Sequence, residues 1–140
     1  MKRIICIGNC YTPEDAAGPK VYDRLLQRTL PHDIEVIDGG LAGLNLLRFM
    51  DGAERVVFVD NVSGFGQPNE IIVLEAEDVA TFAGNGYDHS SGLAYFLRVL
   101  PEVCEGSVPQ ILLMGIEVGP DDGIIDKAAS LALKIAVEDG

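Results

Sequence analysis

Short, nearly unbroken runs of hydrophobic residues recur along the chain, separated by stretches with helical spacing. Such runs are typical of strands that are buried on both faces of a parallel sheet. We predict core strands at residues 4–7, 34–37, 56–59 and 111–114. Because these strands alternate with helical segments, the pattern predicts a three-layer α/β/α sandwich around a mainly parallel sheet.

The first helix is predicted from local start and stop signals as well as from its spacing. Thr12 is typical of an N-cap, Pro13 suits the first turn, and Pro31 ends a pattern that includes Val21 and Leu25. Further helical segments are predicted at residues 41–50, near residues 77–82, from about residue 89 to residue 100, and at residues 124–137.

The link between residues 61 and 69 breaks this alternation. It carries turn signals at Gly64, Gly66 and Pro68 and no helical pattern. A parallel crossover usually needs about a dozen residues or more. We therefore predict that the next strand, at residues 71–74, runs antiparallel at an edge of the sheet.

Length and charge limit the classes of function. A chain of 140 residues fits one domain, which we place at residues 1–140. The net charge of -12 argues against a nucleic-acid partner and against an anionic membrane surface. No stretch approaches the roughly 20 apolar residues of a membrane span. We expect a cytoplasmic protein that is a monomer.

The three cysteines do not form a Cys-x-x-Cys pair, and an odd number does not suit a disulfide framework. We interpret Cys6, Cys10 and Cys104 as free thiols in a reducing compartment. Cys6 lies within a hydrophobic run and is predicted to be a core residue. Cys10 follows that run and is a candidate for a reactive thiol.

Four polar residues are placed where a parallel sheet binds its ligands. In such sheets ligands lie beyond the carboxyl ends of the strands, where the strand order reverses, and right-handed crossovers make the first and third strands neighbours. Asp15, Asp38 and Asp60 follow three successive strands, and His89 opens a later helix. Two carboxylates and one imidazole are ligands for a divalent metal, and such a set leaves coordination positions open.

Each of these residues also has a purely structural interpretation. Asp15 stands three residues after Thr12, where an acid stabilises a helix start. Asp38 and Asp60 precede residues that are common in turns, and His89 suits an exposed helix start. The hypothesis of a metal site depends on the convergence of these residues at one edge of the sheet.

Five ordered segments resemble the endopeptidases that mature nickel-iron hydrogenases. The Asp-Gly-Gly-x-Ala-Gly block is the most specific of them. The segments are Ile7-Gly8-Asn9 with Glu14-Asp15-x-x-Gly18, Val36-Ile37-Asp38-Gly39-Gly40-x-Ala42-Gly43-x-x-Leu46-Leu47, Val56-Val57-Phe58-Val59-Asp60, His89-x-x-Gly92-Leu93-Ala94, and Leu113-Met114-Gly115-Ile116-Glu117.

The resemblance implies removal of a C-terminal extension from the [NiFe]-hydrogenase large-subunit precursor after nickel insertion. It also implies a five-stranded twisted sheet. It places metal contacts at Asp15, Asp60 and His89, and a residue suspected of substrate recognition at Asp38. In this family the nickel is thought to arrive on the substrate, and other divalent metals can occupy the site. The general base stays open between Asp38 and a bound hydroxide.

Three other functions are compatible with parts of this pattern. A non-catalytic, nickel-dependent hydrogenase-assembly protein would use the same ligands. A receiver-type signalling domain also ends its third strand in an aspartate, but it needs a lysine after its last core strand, where this chain has Glu117. A cysteine peptidase would pair Cys10 with His89.

Overall fold

The computed structural model describes residues 1–12, 16–41, 43–62, 67–78, 93–104, 106–117 and 121–137. The strands are β1 (Lys2–Ile7), β2 (Ile34–Gly40), β3 (Arg55–Val62), β4 (Ile71–Glu75) and β5 (Gln110–Glu117). The α-helices are α1 (Ala17–Leu26), α2 (Leu93–Val103) and α3 (Asp122–Val137), and a 3-10 helix spans Leu44–Phe49.

The five strands form one mixed sheet in the order β2-β1-β3-β5-β4. Four strands are parallel, and β4 pairs with β5 in the antiparallel direction at the edge. This confirms both the antiparallel edge strand and the prediction that the first and third strands are neighbours. The strand order reverses between β1 and β3, so the expected ligand site lies at their carboxyl ends. We call this edge of the sheet the carboxyl edge.

Helices cover both faces of the sheet, which confirms the three-layer sandwich. One core lies between the sheet and α1 with α3, and it contains Val57, Val59, Val21 and Ala132. The other core lies under the 3-10 helix and α2 and contains Phe58 among its buried residues. We call these two sides the α1 face and the α2 face.

Helix α1 differs from its prediction at both ends. It begins at Ala17, so Thr12 does not cap it, and it ends at Leu26, before Pro31. Its N-cap residue, Ala16, makes no side-chain hydrogen bond. Instead, the backbone N–H of Ala17 donates to Asn61 Oδ1 of β3 at 2.9 Å. The first turn is therefore capped from the sheet, which a search for local capping residues misses.

Other elements differ in extent or type. The predicted α-helix at residues 41–50 is the shorter 3-10 helix, preceded by Gly43 without a capping side chain and anchored by the buried Leu46. Residues 76–78, α2 and α3 are helical where the sequence predicts the later helices. The predicted start near residue 89 and residues 79–82 of the predicted helix near 77–82 lie outside the described residues. Within the described residues no helix is long and apolar enough to cross a membrane.

Candidate functional site

Asp60 is a buried carboxylate near the carboxyl edge of the central strand β3. It is 1% exposed, and its Oδ1 accepts a hydrogen bond from the backbone N–H of Asn61 at 2.8 Å. The prediction that Asp60 follows the third strand is wrong in detail. Strand β3 continues to Val62 because β5 pairs with it as far as Glu117. Asp60 is nevertheless beside β1, at the place where the strand order reverses.

Asp38 also lies inside its strand rather than after it, because β2 extends to Gly40. Its side chain is exposed, and its Oδ1 accepts a hydrogen bond from the backbone N–H of Gly40 at 3.1 Å. Asp38 is paired in register with Cys6 of β1. Burial, and secondarily the charge of Asp38, raises the pKa of the Cys6 thiol, so Cys6 is the inert core residue that the sequence predicts.

Asp38 and Asp60 are not on the same side of the sheet. Successive residues of a strand point to opposite faces. Asp60 lies between Phe58 and Val62, whose side chains are in the α2-face core. Asp38 pairs with Cys6, which belongs to the α1-face core. The two carboxylates therefore flank β1 on opposite faces, and the expected single cluster does not include Asp38.

Asp38 instead lines a cleft of about 410 Å³, which we call the β1–β2 cleft. The residues that line it are Gly8, Asn9 and Cys10 after β1, Pro19, Tyr22 and Asp23 of α1, and Asp38, Gly40 and Leu41 at the end of β2. Cys10 is an exposed free thiol, as predicted, and Cys6 and Cys104 are also free.

Asp15 and His89 lie outside the described residues, so the structure does not place the other two predicted metal ligands. Among the residues it does describe, no group of three or more His, Cys, Asp or Glu side chains could hold a metal ion. The metal site formed by Asp15, Asp60 and His89 therefore stays a prediction. Of these three residues, the structure describes the position of Asp60.

Sequence reasoning treated Asn61 only as a turn residue, whereas its side chain connects three elements. Its Oδ1 accepts from the Ala17 N–H of α1 at 2.9 Å, and its Nδ2 donates to the Ile116 carbonyl of β5 at 3.2 Å. Asn61 thus fixes the start of α1 against the carboxyl edge, directly after Asp60. An amide next to a strand-end carboxylate is the sequence signal for this role.

We expect Asn61→Ala to lower the free energy of unfolding by about 1–3 kcal/mol, because two partly buried backbone groups lose their partner. Urea unfolding followed by circular dichroism measures the change. The control is Asn45→Ala, which removes one long hydrogen bond of 3.5 Å to the Gly39 carbonyl and should cost about 0.5 kcal/mol or less. Equal stability of the two variants would contradict the bridging role of Asn61.

Glu117 is a second buried acid on the α2 face. It is 3% exposed and ends β5, where it pairs in register with Val62. Because Gly115 is the partner of Asp60, Glu117 lies diagonally across from Asp60 on the same face. Glu117 belongs to one of the five motif segments, but only the pairing register shows that it lies near Asp60.

Comparisons with known proteins decide the family. A family model described as hydrogenase maturation protease (HycI) matches residues 19–138. The Hydrogenase 2 maturation protease of Escherichia coli K12 is 30% identical over 149 residues, which cover 98% of this chain and 91% of that protein. The chain belongs to the hydrogenase maturation protease family.

Solved structures agree with this assignment. The hydrogenase maturating endopeptidase HybD of E. coli superposes with a TM-score of 0.73 at 27% identity, over 96% of this chain and 89% of that one. The [NiFe] hydrogenase maturation protease HybD of Thermococcus kodakarensis has a TM-score of 0.75 at 20% identity, over 97% of this chain and 99% of that one, and supports the fold alone. Membership in this protease family argues against the alternative of a receiver-type signalling domain.

In this maturation protease, local geometry explains why three positions of the motifs are glycine. A Cβ at Gly39 would lie 2.7 Å from Ile5 Cγ2, and one at Gly115 would lie 2.7 Å from Val62 Cγ1. Gly40 has a φ of +62°, which favours glycine. Glycine at these positions lets β2 and β5 adopt their observed backbone and packing without a steric clash, close to the carboxyl edge.

Proposed function

We propose that this chain is an endopeptidase that removes the C-terminal extension of a nickel-loaded [NiFe]-hydrogenase large-subunit precursor. The observation that carries the proposal is the buried carboxylate of Asp60 at the point where the strand order reverses, in a chain of the hydrogenase maturation protease family. Ligand sites of parallel sheets occur at this point.

In this proposal Asp15, Asp60 and His89 contact nickel that the precursor already holds through its own cysteines. Carboxylate and imidazole groups suit Ni²⁺ without selecting it over Zn²⁺ or Cu²⁺, so the precursor determines which metal is present. The nickel held by the precursor would position the scissile peptide, and it would polarise the carbonyl or activate a water. The water oxygen adds to the carbonyl carbon and the water loses a proton, the C–N bond breaks, and the leaving amine takes up that proton.

We assign Asp38 to holding the substrate. Its position on the α1 face, in the β1–β2 cleft and across β1 from Asp60, supports contact with the peptide rather than with the metal. Activation of the water then falls to the metal. The net charge of -12 supports a protein partner rather than a nucleic acid, and we propose that the chain acts in the cytoplasm as a monomer.

The test compares nickel-loaded and nickel-free precursor, using chain treated with a chelator and then desalted. We expect cleavage of the nickel-loaded precursor alone, because the metal contacts depend on substrate-borne nickel. Mass spectrometry of the precursor C-terminus measures the product and locates the cut.

Equal cleavage of the two precursors would contradict the role of nickel. Binding of the nickel-loaded precursor without cleavage would contradict the endopeptidase and favour the assembly-protein alternative. The Cys10→Ser variant tests the cysteine-peptidase alternative, and we expect it to cleave normally.

A further inference from the structure

Strand β4 is the outermost strand of the sheet on the side opposite to β2, and among the described residues it has a strand partner on one side only. It pairs with β5 in an antiparallel register that has no bulge over the whole strand. The backbone N–H and C=O groups on its outer side are thus in a position to pair with a strand of another protein.

The backbone groups that point outward alternate along β4. The Glu70 carbonyl accepts a hydrogen bond from the Glu117 N–H at 2.9 Å, one step beyond the paired residues of the strand. Because hydrogen-bonded and non-hydrogen-bonded pairs alternate along an antiparallel ladder, the N–H groups of Ile71, Val73 and Glu75 point away from β5. Within the described residues these N–H groups donate no hydrogen bond. We call this outward row of backbone groups the β4 edge.

The side chains of β4 also leave room for a further strand. Val73, in the middle of β4, is 42% exposed, although its partner in β5, Met114, is fully buried in the α1-face core. Helices α1 and α3 cover that face over β1 and β3. A strand added beside β4 would bury Val73 and gain hydrophobic stabilisation. Natural edge strands commonly use lysine or proline against such pairing, and β4 contains neither.

The charge around β4 indicates which kind of strand would bind. Residues 67–78 contain four acidic residues, all exposed, and no lysine or arginine. These acidic residues are Glu70, Glu75, Glu77 and Asp78. In a pair formed with a second copy of this chain, the same carboxylates would come together and destabilise the pairing. A strand that carries lysine or arginine is instead complementary in charge.

We propose that the C-terminal extension of the precursor binds at the β4 edge as a sixth strand of the sheet, with basic residues beside the carboxylates around β4. The identity of this partner rests on the proposed endopeptidase function. Backbone hydrogen bonds would hold the segment after the scissile bond in an extended conformation, with little dependence on its exact sequence. This surface lies at the opposite side of the sheet from β2 and the β1–β2 cleft.

The position of β4 fits a peptide that is cut near Asp60. Strand β4 begins at the carboxyl edge, where Ile71 pairs with Ile116 beside the end of β5. A sixth strand would lie about 14 Å from β3, because neighbouring strands are about 4.8 Å apart, and an extended chain covers this distance in about four to five residues. The extension follows the scissile bond in sequence, so it would run away from the carboxyl edge, parallel to β4. About ten residues of extension would reach the far end of β4.

The first experiment measures amide hydrogen exchange of the full chain by NMR, with and without a blocked peptide that spans about the first ten residues of the extension. In the free chain we expect fast exchange at the outward amides of Ile71, Val73 and Glu75, and saturating peptide should slow them about tenfold or more. The amides of Ile72 and Leu74, which face β5, should exchange slowly in both states. Slow exchange of the outward amides in the free chain, or no change with the peptide, would overturn the proposal.

Matched peptides separate strand pairing from other modes of binding. Successive residues of a strand point their amides to opposite sides, so N-methylation of one alternate set of peptide amides should weaken binding about tenfold, and methylation of the other set about twofold or less. Replacement of the lysine and arginine residues of the peptide by glutamate should weaken binding about fivefold. Equal losses from the two methylated sets, or unchanged binding of the glutamate peptide, would contradict the proposed pairing of a basic strand.

The second experiment measures cleavage of nickel-loaded precursor by two variants at position 73. Val73→Pro removes the central outward N–H and retains the ladder with β5, because an edge strand tolerates proline where the N–H points outward. We expect KM to rise about fivefold or more, with kcat within about twofold. The matched control is Val73→Thr, which keeps the N–H and should leave KM unchanged. Circular dichroism verifies that both variants fold.

A nickel-loaded precursor shortened to about four residues of extension tests the same contact without a variant of the chain, because so short a segment does not reach β4. We expect the unmodified chain to cleave it with the raised KM, and Val73→Pro to cleave it equally well. If the proposal for the β4 edge fails, the full and shortened precursors are cleaved with the same KM. If the endopeptidase proposal fails, neither is cleaved, yet the exchange experiment still decides whether β4 binds the peptide.

Discussion

Gly18→Ala is expected to destabilise the protein by about 3 kcal/mol or more, because the new methyl group meets the backbone rather than a movable side chain. A Cβ at Gly18 would lie 2.0 Å from the carbonyl oxygen of Ile7 and 2.8 Å from its carbonyl carbon. Neither α1 nor β1 can yield without separating the helix from the sheet. Urea unfolding measures the stability, and the variant should also lose cleavage because it displaces the segment that contains Asp15.

The matched control is Gly123→Ala. Gly123 is the second residue of α3, just as Gly18 is the second residue of α1. A Cβ at Gly123 would meet only Asp121 Oδ1, at the ordinary contact distance of 3.4 Å. We expect a change of about 0.5–1 kcal/mol towards higher stability, as for other helical glycines. If both variants were equally stable, the close approach of α1 to β1 would not be the reason for glycine at position 18.

The strands of this protein were predictable because their sequences carry a strong physical signal. The runs at residues 4–7 and 56–59 are buried on both faces, and the run at 111–114 is buried except for the half-buried Leu112. Such short continuous hydrophobic runs are typical of strands in a covered parallel sheet. The antiparallel direction of β4 followed from the length of the preceding link, since a short chain segment cannot return to the start of a parallel neighbour.

Because of the same continuous hydrophobicity, the sequence does not show on which face of the sheet each carboxylate lies. A strand with one polar face shows by alternation which residues share a side, but β1 and β3 have no polar face. The opposite orientations of Asp38 and Asp60 therefore became visible only with the pairing register. The start of α1 was missed for another reason, because its capping oxygen belongs to Asn61, 44 residues away in the chain.

The pairing register also shows that the acidic residues at the carboxyl edge lie on two opposite faces, which suits two different roles. The α2 face contains Asp60 and Glu117, both buried, at the end of the two central strands. The α1 face contains the open β1–β2 cleft with Asp23 and Asp38. A buried carboxylate suits contact with a reacting centre, whereas an open cleft suits contact with the substrate peptide. The two roles can therefore be tested by separate variants.

Asp60→Asn is expected to abolish cleavage of the nickel-loaded precursor, with a loss of at least about a hundredfold in kcat. Asparagine has nearly the same shape as aspartate, and its side-chain oxygen can still accept the Asn61 N–H that Asp60 Oδ1 accepts at 2.8 Å. The variant should thus fold, while the anionic ligand for the metal is lost. Mass spectrometry of the precursor measures cleavage, and circular dichroism with urea unfolding verifies the fold.

A control variant makes the result specific to Asp60. Asp51→Asn removes the same charge from an exposed residue at the opposite edge of the sheet and should cleave like the unmodified chain. A folded Asp60→Asn variant that cleaves at the normal rate would remove Asp60 from the proposed metal contacts. A variant that loses both cleavage and much of its stability would show that Asp60 acts by holding the carboxyl edge together, because loss of a metal contact alone would leave the fold unchanged.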